Sequence, residues 1–228
     1  MSVKAQNNES QLISRHRPGL LWYFDGLRPA KSTDNHKYDR LILDLTYNDW
    51  SGDLKPFQNR WNSLGMNVNF MKDMKFKKTK WFSLGLGIGY GFSTMSSDSR
   101  FKLNKSLIEI ENLEKSGLFD YASTHAHRFY IPFELRFSTN NWKRIKFSLG
   151  ANIGINSGIN QSLLGRDGSK KEEISLTHSA PAFNYGLHCR FGLRNIALFS
   201  SYQLSNFFRD SSNPKLHQIQ FGLSISIF

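Results

Sequence analysis

The sequence predicts an all-β fold, an eight-stranded antiparallel transmembrane β-barrel of the outer-membrane type with a short N-terminal periplasmic segment. Segments of strict apolar and polar alternation recur from residue 38 to the end, long and short connections alternate between them, and aromatic residues gather near their ends. Each segment has roughly the 9 to 11 residues that a tilted strand needs to cross the hydrocarbon. We therefore assign residues 1–37 to the N-terminal segment and residues 38–228 to the barrel.

The first three predicted strands cover residues 40–47, 64–70 and 82–93. In the first strand, Leu43 and Leu45 share one face and Asp44 lies on the other. The third strand is the most regular, since bulky residues such as Leu86 alternate with a face made only of glycine and serine. Successive side chains of a strand point to opposite faces, so the pattern predicts one lipid-facing surface and one inward surface.

The other five predicted strands cover residues 128–137, 147–155, 183–191, 196–204 and 219–227. In the fourth strand, Phe129 and Phe133 alternate with Arg128 and Glu134. The seventh strand has the weakest alternation of the eight. An even number of antiparallel strands closes a barrel with both termini on one side, which supports the count of eight.

Alternation alone does not show which strand face points out of the barrel, because a soluble ligand-binding barrel has the same period with its apolar residues inside. Here glycine and charged residues share one face, and a solvent-exposed face of glycine and serine would have weak β-propensity. The long connections fit extracellular loops and the short ones fit periplasmic turns. The aromatic residues near strand ends, where interfacial girdles are expected, are Trp50, Trp61, Trp81, Tyr90, Phe92, Phe129, Phe137 and Trp142.

The composition excludes helical membrane spans, since no stretch approaches the ~20 apolar residues that such a helix needs. The single cysteine, Cys189, excludes an internal disulfide.

The net charge is +12, and much of the excess of basic residues lies in a rim formed by the predicted short turns, with Asp73 as the nearby acid. Such a rim attracts anionic phospholipids or an acidic periplasmic partner. It comprises Lys72, Lys75, Lys77, Lys78, Lys80, Lys143, Arg144 and Arg194.

The predicted inward faces also carry charged residues, which are Arg40, Asp44, Arg128, Glu134, Arg136, Lys146, His188 and Arg190. An eight-stranded barrel is just wide enough for side chains to fill, so these charges must pair and hydrogen-bond. We expect Glu134 to lie between arginines of neighbouring strands. The alternative is a narrow solute path or a small anionic-ligand pocket, favoured by the excess of arginine over carboxylates.

Catalytic and metal sites find little support in the sequence. A lipid-hydrolysing barrel would need a serine activated by a histidine, and Ser123, His125 and His127 precede the fourth strand. No Gly-x-Ser-x-Gly motif is present, and nothing fixes an acid beside the histidines. We therefore expect no enzyme, no cofactor and no metal site. Nucleic acid is also disfavoured, because the aromatics needed for base stacking lie on the lipid face.

The segment before the barrel contains a short apolar run between basic residues and prolines, made of Leu20, Leu21, Trp22, Tyr23 and Phe24. It could bind a partner, plug the lumen, lie at the inner membrane interface, or cap the barrel rim. Val3 and Ala5 stand where small residues precede signal-peptide cleavage, so the first residues are interpreted as a signal-peptide remnant, or as an ordinary terminus.

The longest predicted loop contains apolar residues with helical spacing, which are Leu107, Ile108, Ile110 and Leu113. We therefore expect a helix in this loop.

Three segments resemble a known family. RFYIPFELRF at 128–137 resembles the strand with an Ile-Pro-x-x-Leu pattern in the PorT-like outer-membrane β-barrel proteins of Bacteroidetes. FSLGLGIGYGFS at 82–93 and FGLSISIF at 221–228 are similar to their glycine-alternating and final strands. The resemblance implies an eight-stranded barrel in the outer membrane of a Gram-negative bacterium and identifies no ligand or reaction. Phe228 resembles the C-terminal aromatic of such barrels, although it is out of phase with Ile227.

Overall fold

The chain folds almost entirely into β-strands in this computed structural model, which describes residues 41–52, 59–76, 79, 81–104, 107–113, 119–139, 145–165, 167–193, 195–209 and 213–227. The strands are β1 (Leu41–Gly52), β2 (Leu64–Lys75), β3 (Phe82–Ser97), β4 (Ser99–Asn104), β5 (Leu107–Asn112), β6 (Tyr121–Ser138), β7 (Ile145–Leu164), β8 (Lys170–Ser175), β9 (Phe183–Leu193), β10 (Ile196–Gln203) and β11 (Leu216–Ser226). No helix among these residues is long and apolar enough to cross a membrane.

Eight of the strands close into a barrel. Neighbouring barrel strands follow the order β6, β3, β2, β1, β11, β10, β9, β7, and β6 also pairs with β7. The first and last barrel strands are antiparallel neighbours, from the pair Ile42 and Ser226 to the pair Gly52 and Leu216. The predicted eight-stranded antiparallel barrel is therefore confirmed, and each predicted strand lies within or overlaps one of these eight.

The polar face of each barrel strand points inward. Along β1, Asp44 is fully buried while its neighbour Leu45 is half exposed. On β3, Leu86 and Ile88 are 45% and 66% exposed, whereas Gly85, Gly89 and Gly91 on the opposite face are buried. Exposed apolar and buried polar side chains form the pattern of a barrel surrounded by lipid. The alternative of a soluble barrel with an apolar interior is wrong.

The two ends of the barrel differ in the length of their connections. We call the end with connections at 53–63, 98–120, 165–182 and 204–215 the loop end, and the end with connections at 76–81, 139–144 and 194–195 the turn end. The barrel begins and finishes at the turn end, where the Ile227 N–H donates to the Leu41 carbonyl at 2.9 Å. Short periplasmic turns and long extracellular loops are typical of outer-membrane barrels, so the loop end faces the cell exterior and the turn end faces the periplasm.

The predicted loop helix is wrong, because the segment forms a hairpin of β4 and β5. Phe101 pairs with Ile110, and Lys102 pairs with Glu109. Ile108 and Ile110 alternate with Glu109 and Glu111, which is a strand period, and cross-strand pairs of opposite charge stabilise it. The alternation outweighs the helical spacing on which the prediction rested.

Glycines on the inward faces make room for large side chains that cross the lumen. A Cβ atom at Gly89 would lie 2.4 Å from the Tyr130 ring, and one at Gly150 would lie 2.6 Å from the His188 ring. Both distances are shorter than any ordinary carbon contact, so alanine at either position would displace the ring. The small-residue face of β3 therefore fits the lumen side chains that oppose it.

Candidate functional site

A network of buried charges, which we call the lumen ion network, fills the middle of the barrel. Its centre is Arg190, whose Nη2 lies 2.7 Å and Nε 3.1 Å from the two carboxylate oxygens of Asp44. The Nη1 of Arg190 also donates to Glu134. Asp44 is fully buried and Glu134 is 1% exposed, so both carboxylates lie away from bulk solvent.

Glu134 binds two further groups of the network, and one of them leads to a third carboxylate. Its Oε2 accepts from the Nε of Arg136 at 2.6 Å, and its Oε1 lies 3.0 Å from the Nε2 of His188. Arg136 also donates to Asp73. The structure thus brings together five of the predicted lumen residues, which are Asp44, Glu134, Arg136, His188 and Arg190. Glu134 does lie between two arginines, but the expectation that they come from neighbouring strands is wrong, because Arg136 is on β6 itself and β7 separates β6 from the strand of Arg190.

The network joins strands from opposite sides of the barrel. Asp44 lies on β1, Asp73 on β2, the pair Glu134 and Arg136 on β6, and Arg190 on β9. A buried ion is stable only when its partners are well placed, because removing it from water costs several kcal/mol. The carboxylates of Asp44, Asp73 and Glu134 provide these partners. The paired side chains leave little room for a solute to pass along the barrel axis.

The predicted position of Asp73 is wrong. The sequence placed it among the basic turns, whereas the structure places it in the lumen beside Arg136. The predicted second strand ends at residue 70, whereas β2 continues to Lys75 and turns Asp73 toward the lumen. Lys72 lies on the outer face of the same strand, is exposed and pairs with Leu86 of β3, so it belongs to the barrel wall and not to a turn. The side chain of Lys75 and the residues Lys77, Lys78, Lys80, Lys143, Arg144 and Arg194 lie outside the described part of the chain.

Two other predicted lumen residues lie away from the network. Arg128 is 9% exposed and stacks on the Tyr130 ring, with 4.9 Å between its guanidinium carbon and the ring centroid. Lys146 is half-buried on β7 near the turn end. Arg40 lies outside the described residues, as do Leu20, Leu21, Trp22, Tyr23 and Phe24.

Neutral groups extend the network, and sequence reasoning did not assign them. Asn69 donates to Asp44 at 2.9 Å, and the Tyr130 hydroxyl donates to Asn69 at 2.7 Å. Both residues occupy inward-facing positions in the alternating pattern of their strands, so the alternation could have identified them. Their hydrogen bonds satisfy buried polar groups that would otherwise destabilise the barrel.

An apolar cluster covers the lumen at the loop end, and we call it the outer cap. Trp50 is 3% exposed, so its placement in an interfacial girdle is wrong. Its ring packs against Phe207 with 4.6 Å between centroids, and against Phe101 of the hairpin. The buried members of the cap are Trp50, Met95, Phe101, Ala126, Ile108, Ile159, Leu176, Ala180, Phe208 and Leu216. Burial of this apolar surface holds the hairpin over the barrel mouth.

Ion pairs join two of the loops beside the outer cap. Arg60 donates to Asp98 at 2.6 Å and to Asp120 at 3.2 Å, which links the first and second loops. The hydrogen bond that Arg60 donates to Asp98 raises the pKa of Arg60 above its usual range. This arginine therefore stays charged and fixes the two loops at every ordinary pH.

The serine and histidines considered for catalysis do not meet. The Ser123 hydroxyl contacts that of Ser96 at 3.2 Å, whereas Nδ1 of His125 contacts Thr94 at 3.1 Å. His127 instead contacts the Tyr90 hydroxyl at 2.7 Å. Within the described ranges, no group of three His, Cys, Asp or Glu side chains could hold a metal ion.

Comparisons with known proteins identify the family. The family model for the outer membrane protein beta-barrel domain matches residues 45–227. A search of curated proteins finds no match. Among solved structures, the chain is similar to Neisserial surface protein A (NspA), with 11% identity and a TM-score of 0.36 over 82% of this chain and 95% of that chain. The chain therefore belongs to the family of outer membrane protein beta-barrel domains and lies in the outer membrane.

Proposed function

We propose that this chain is a non-conducting, non-enzymatic barrel that acts as a structural or interaction subunit of an outer-membrane assembly. The lumen ion network carries the proposal. Arg190 binds carboxylates from both β1 and β6, so charged side chains cross the interior rather than line it. A solute would have to separate these buried pairs, at a cost of several kcal/mol.

The outer cap supports the same proposal from the loop end. Phe101 of the hairpin is fully buried against Trp50 and Phe208, above the polar lumen. A path for a solute would therefore need both this apolar contact and the ion network to open. Transport through the lumen is disfavoured for this reason. Lipid modification is disfavoured because Ser123 contacts Ser96 and neither neighbouring histidine.

With a closed lumen, the surfaces of the barrel and its N-terminal segment remain as places for function. The apolar run from Leu20 to Phe24 is the leading candidate for binding a membrane or periplasmic protein partner, because apolar patches of this kind tend to mark contacts. The basic rim at the turn end is suited to anionic lipid head groups. No nucleic acid or cofactor belongs to this proposal.

We further propose that the chain is a PorT-like protein of Bacteroidetes that is exported with a signal peptide. The support is the resemblance of residues 128–137, 82–93 and 221–228 to strands of that family, together with Val3 and Ala5. This finer placement is independent of the closed lumen.

The interaction role is tested by replacing Leu21, Trp22 and Phe24 with serine in the full chain and cross-linking it in native membranes. We expect a partner that is recovered with the unchanged protein to be lost, because the apolar contact surface is removed. The matched control replaces the polar residues Asn7, Asn8 and Gln11 with alanine and should keep the partner.

Assembly of the barrel is followed in parallel by its resistance to unfolding in detergent before heating. The triple serine variant should assemble normally, because no part of the described barrel includes these residues. Failure of this variant to assemble, or recovery of every cross-linked partner with it, would contradict the interaction role of the segment.

A further inference from the structure

A small polar cavity lies in the lumen between the outer cap and the ion network. Its volume is about 30 Å³, and strands β2, β3, β6, β7, β9, β10 and β11 contribute to its wall. The side chains that matter for its chemistry are Asn67, Arg128, Asn184, Gln203 and Gln218. Space of this size holds about two water molecules or one small planar ion.

Arg128 sets the charge of this cavity. Its side chain is nine-tenths buried, and within the described ranges no carboxylate lies within ion-pair distance of its guanidinium. The lumen arginines Arg136 and Arg190 each contact two carboxylates. Because a buried cation without a counter-charge is unfavourable, Arg128 favours an anion beside it.

Several amide atoms at the cavity wall also lack hydrogen-bond partners. They are both polar atoms of Gln203, the Nε2 of Gln218 and the Oδ1 atoms of Asn67 and Asn184. All four residues are less than 9% exposed. By contrast, Gln220 in the same wall donates to Asn48 at 2.8 Å and accepts from Ser201 at 3.1 Å. Buried polar groups are seldom left unpaired, so the unpaired set indicates a bound species.

We propose that this cavity is a binding site for a small planar oxyanion of the carboxylate or bicarbonate class. The guanidinium of Arg128 can donate two parallel hydrogen bonds to two oxygens of such an ion. The amides of Gln203 and Gln218 donate from the other side, and the amide oxygens of Asn67 and Asn184 accept from water or from a hydroxyl on the anion.

The anion enters from the loop end when the outer cap opens, because the ion network blocks the other side. Ser205, Asn206 and Phe207, which follow β10, line the cavity on that side. On the other side the Tyr130 ring lies under Arg128, and its hydroxyl is bonded to Asn69 beside Asp44. The carboxylates of the ion network below this ring repel an anion, so the site is a closed pocket and not a step in a channel.

The test is thermal unfolding of the full chain in detergent micelles, with formate as the probe. Formate replaces gluconate at constant ionic strength, because gluconate has the same carboxylate but is too large for the cavity. We expect a saturable rise in the unfolding midpoint with formate and none with gluconate. R128M should weaken formate binding by about tenfold to a hundredfold, as expected for the loss of a charge-assisted hydrogen bond.

R100M is the matched control, since Arg100 is bonded to Glu111 on the hairpin outside the cavity. It should keep the formate response. A second variant, Q203L with Q218L, retains Arg128 and should also weaken the response, which tests the site if R128M does not fold. A wild type without a saturable formate response, or a response that survives in both cavity variants, would overturn the proposal and leave the cavity to water.

Discussion

Glu134 is the residue on which the interior of the barrel most depends. It is 1% exposed and contacts Arg136, His188 and Arg190 from two strands. Arg190 retains Asp44 if Glu134 is neutralised, and Arg136 retains Asp73, so each arginine keeps one carboxylate. The substitution therefore removes the one carboxylate that links the two arginines, together with its charge-assisted hydrogen bonds, in a region away from solvent.

Replacing Glu134 with glutamine should destabilise the barrel by roughly 3 to 5 kcal/mol, because two buried arginines each lose a charge-assisted hydrogen bond worth about 1.5 to 3 kcal/mol. The measurement is urea unfolding of the barrel in lipid vesicles, followed by tryptophan fluorescence.

Glu173 provides a matched control for this substitution. Its pair with Lys170 is about half exposed on β8, so Glu173→Gln should change the unfolding free energy by less than about 1 kcal/mol. Similar losses for Glu134→Gln and Glu173→Gln would mean that the lumen charges do not depend on one another.

Among the elements, β3 and β4 each carry an exposed leucine, and the two leucines have different surroundings. Leu86 on β3 is 45% exposed and Leu103 on β4 is 47% exposed. Leu86 lies near the middle of the part of β3 that crosses the membrane, whereas the hairpin of β4 lies beyond the loop end. Exposure alone cannot distinguish the two leucines, but the surrounding solvent can.

Leu86→Arg should cost roughly 2 to 4 kcal/mol of unfolding free energy in vesicles, since a cation on the lipid face near the midplane is destabilising. Leu103→Arg is the control and should stay within about 0.5 kcal/mol, as is usual for exposed positions in water. Equal tolerance of arginine at the two positions would contradict the outward assignment of the apolar face.

The elements also indicate what sequence patterns can predict. Alternation of bulky and small residues over 82–93 was sufficient to predict β3, because lipid and lumen impose opposite demands on its two faces. The hairpin at 99–112 was missed because its apolar spacing fits a helix as well as a strand over so short a segment. Cross-strand pairing of Arg100 with Glu111, which decides between them, is a contact between distant positions in the chain.

For the molecule as a whole, the sequence predicted the barrel and an interior filled by paired charges, but neither the individual partners of those charges nor the outer cap. The inward parity of Asp44, Glu134 and Arg190 placed them in one lumen, whereas their pairing depends on strand stagger around the barrel. The outer cap was not predicted, because Trp50 has an ordinary position near a strand end. Its burial follows from the fold of a hairpin about 50 residues later in the chain.

The central claim is that the interior of this outer-membrane barrel is closed, by the ion network in the middle and the outer cap at the loop end. The most direct measurement is single-channel recording of the purified full chain in planar lipid bilayers. We expect no steady conductance, because ions would have to pass between buried carboxylate and guanidinium groups that bind each other. A steady, anion-selective open channel would contradict the claim and would favour transport through the lumen.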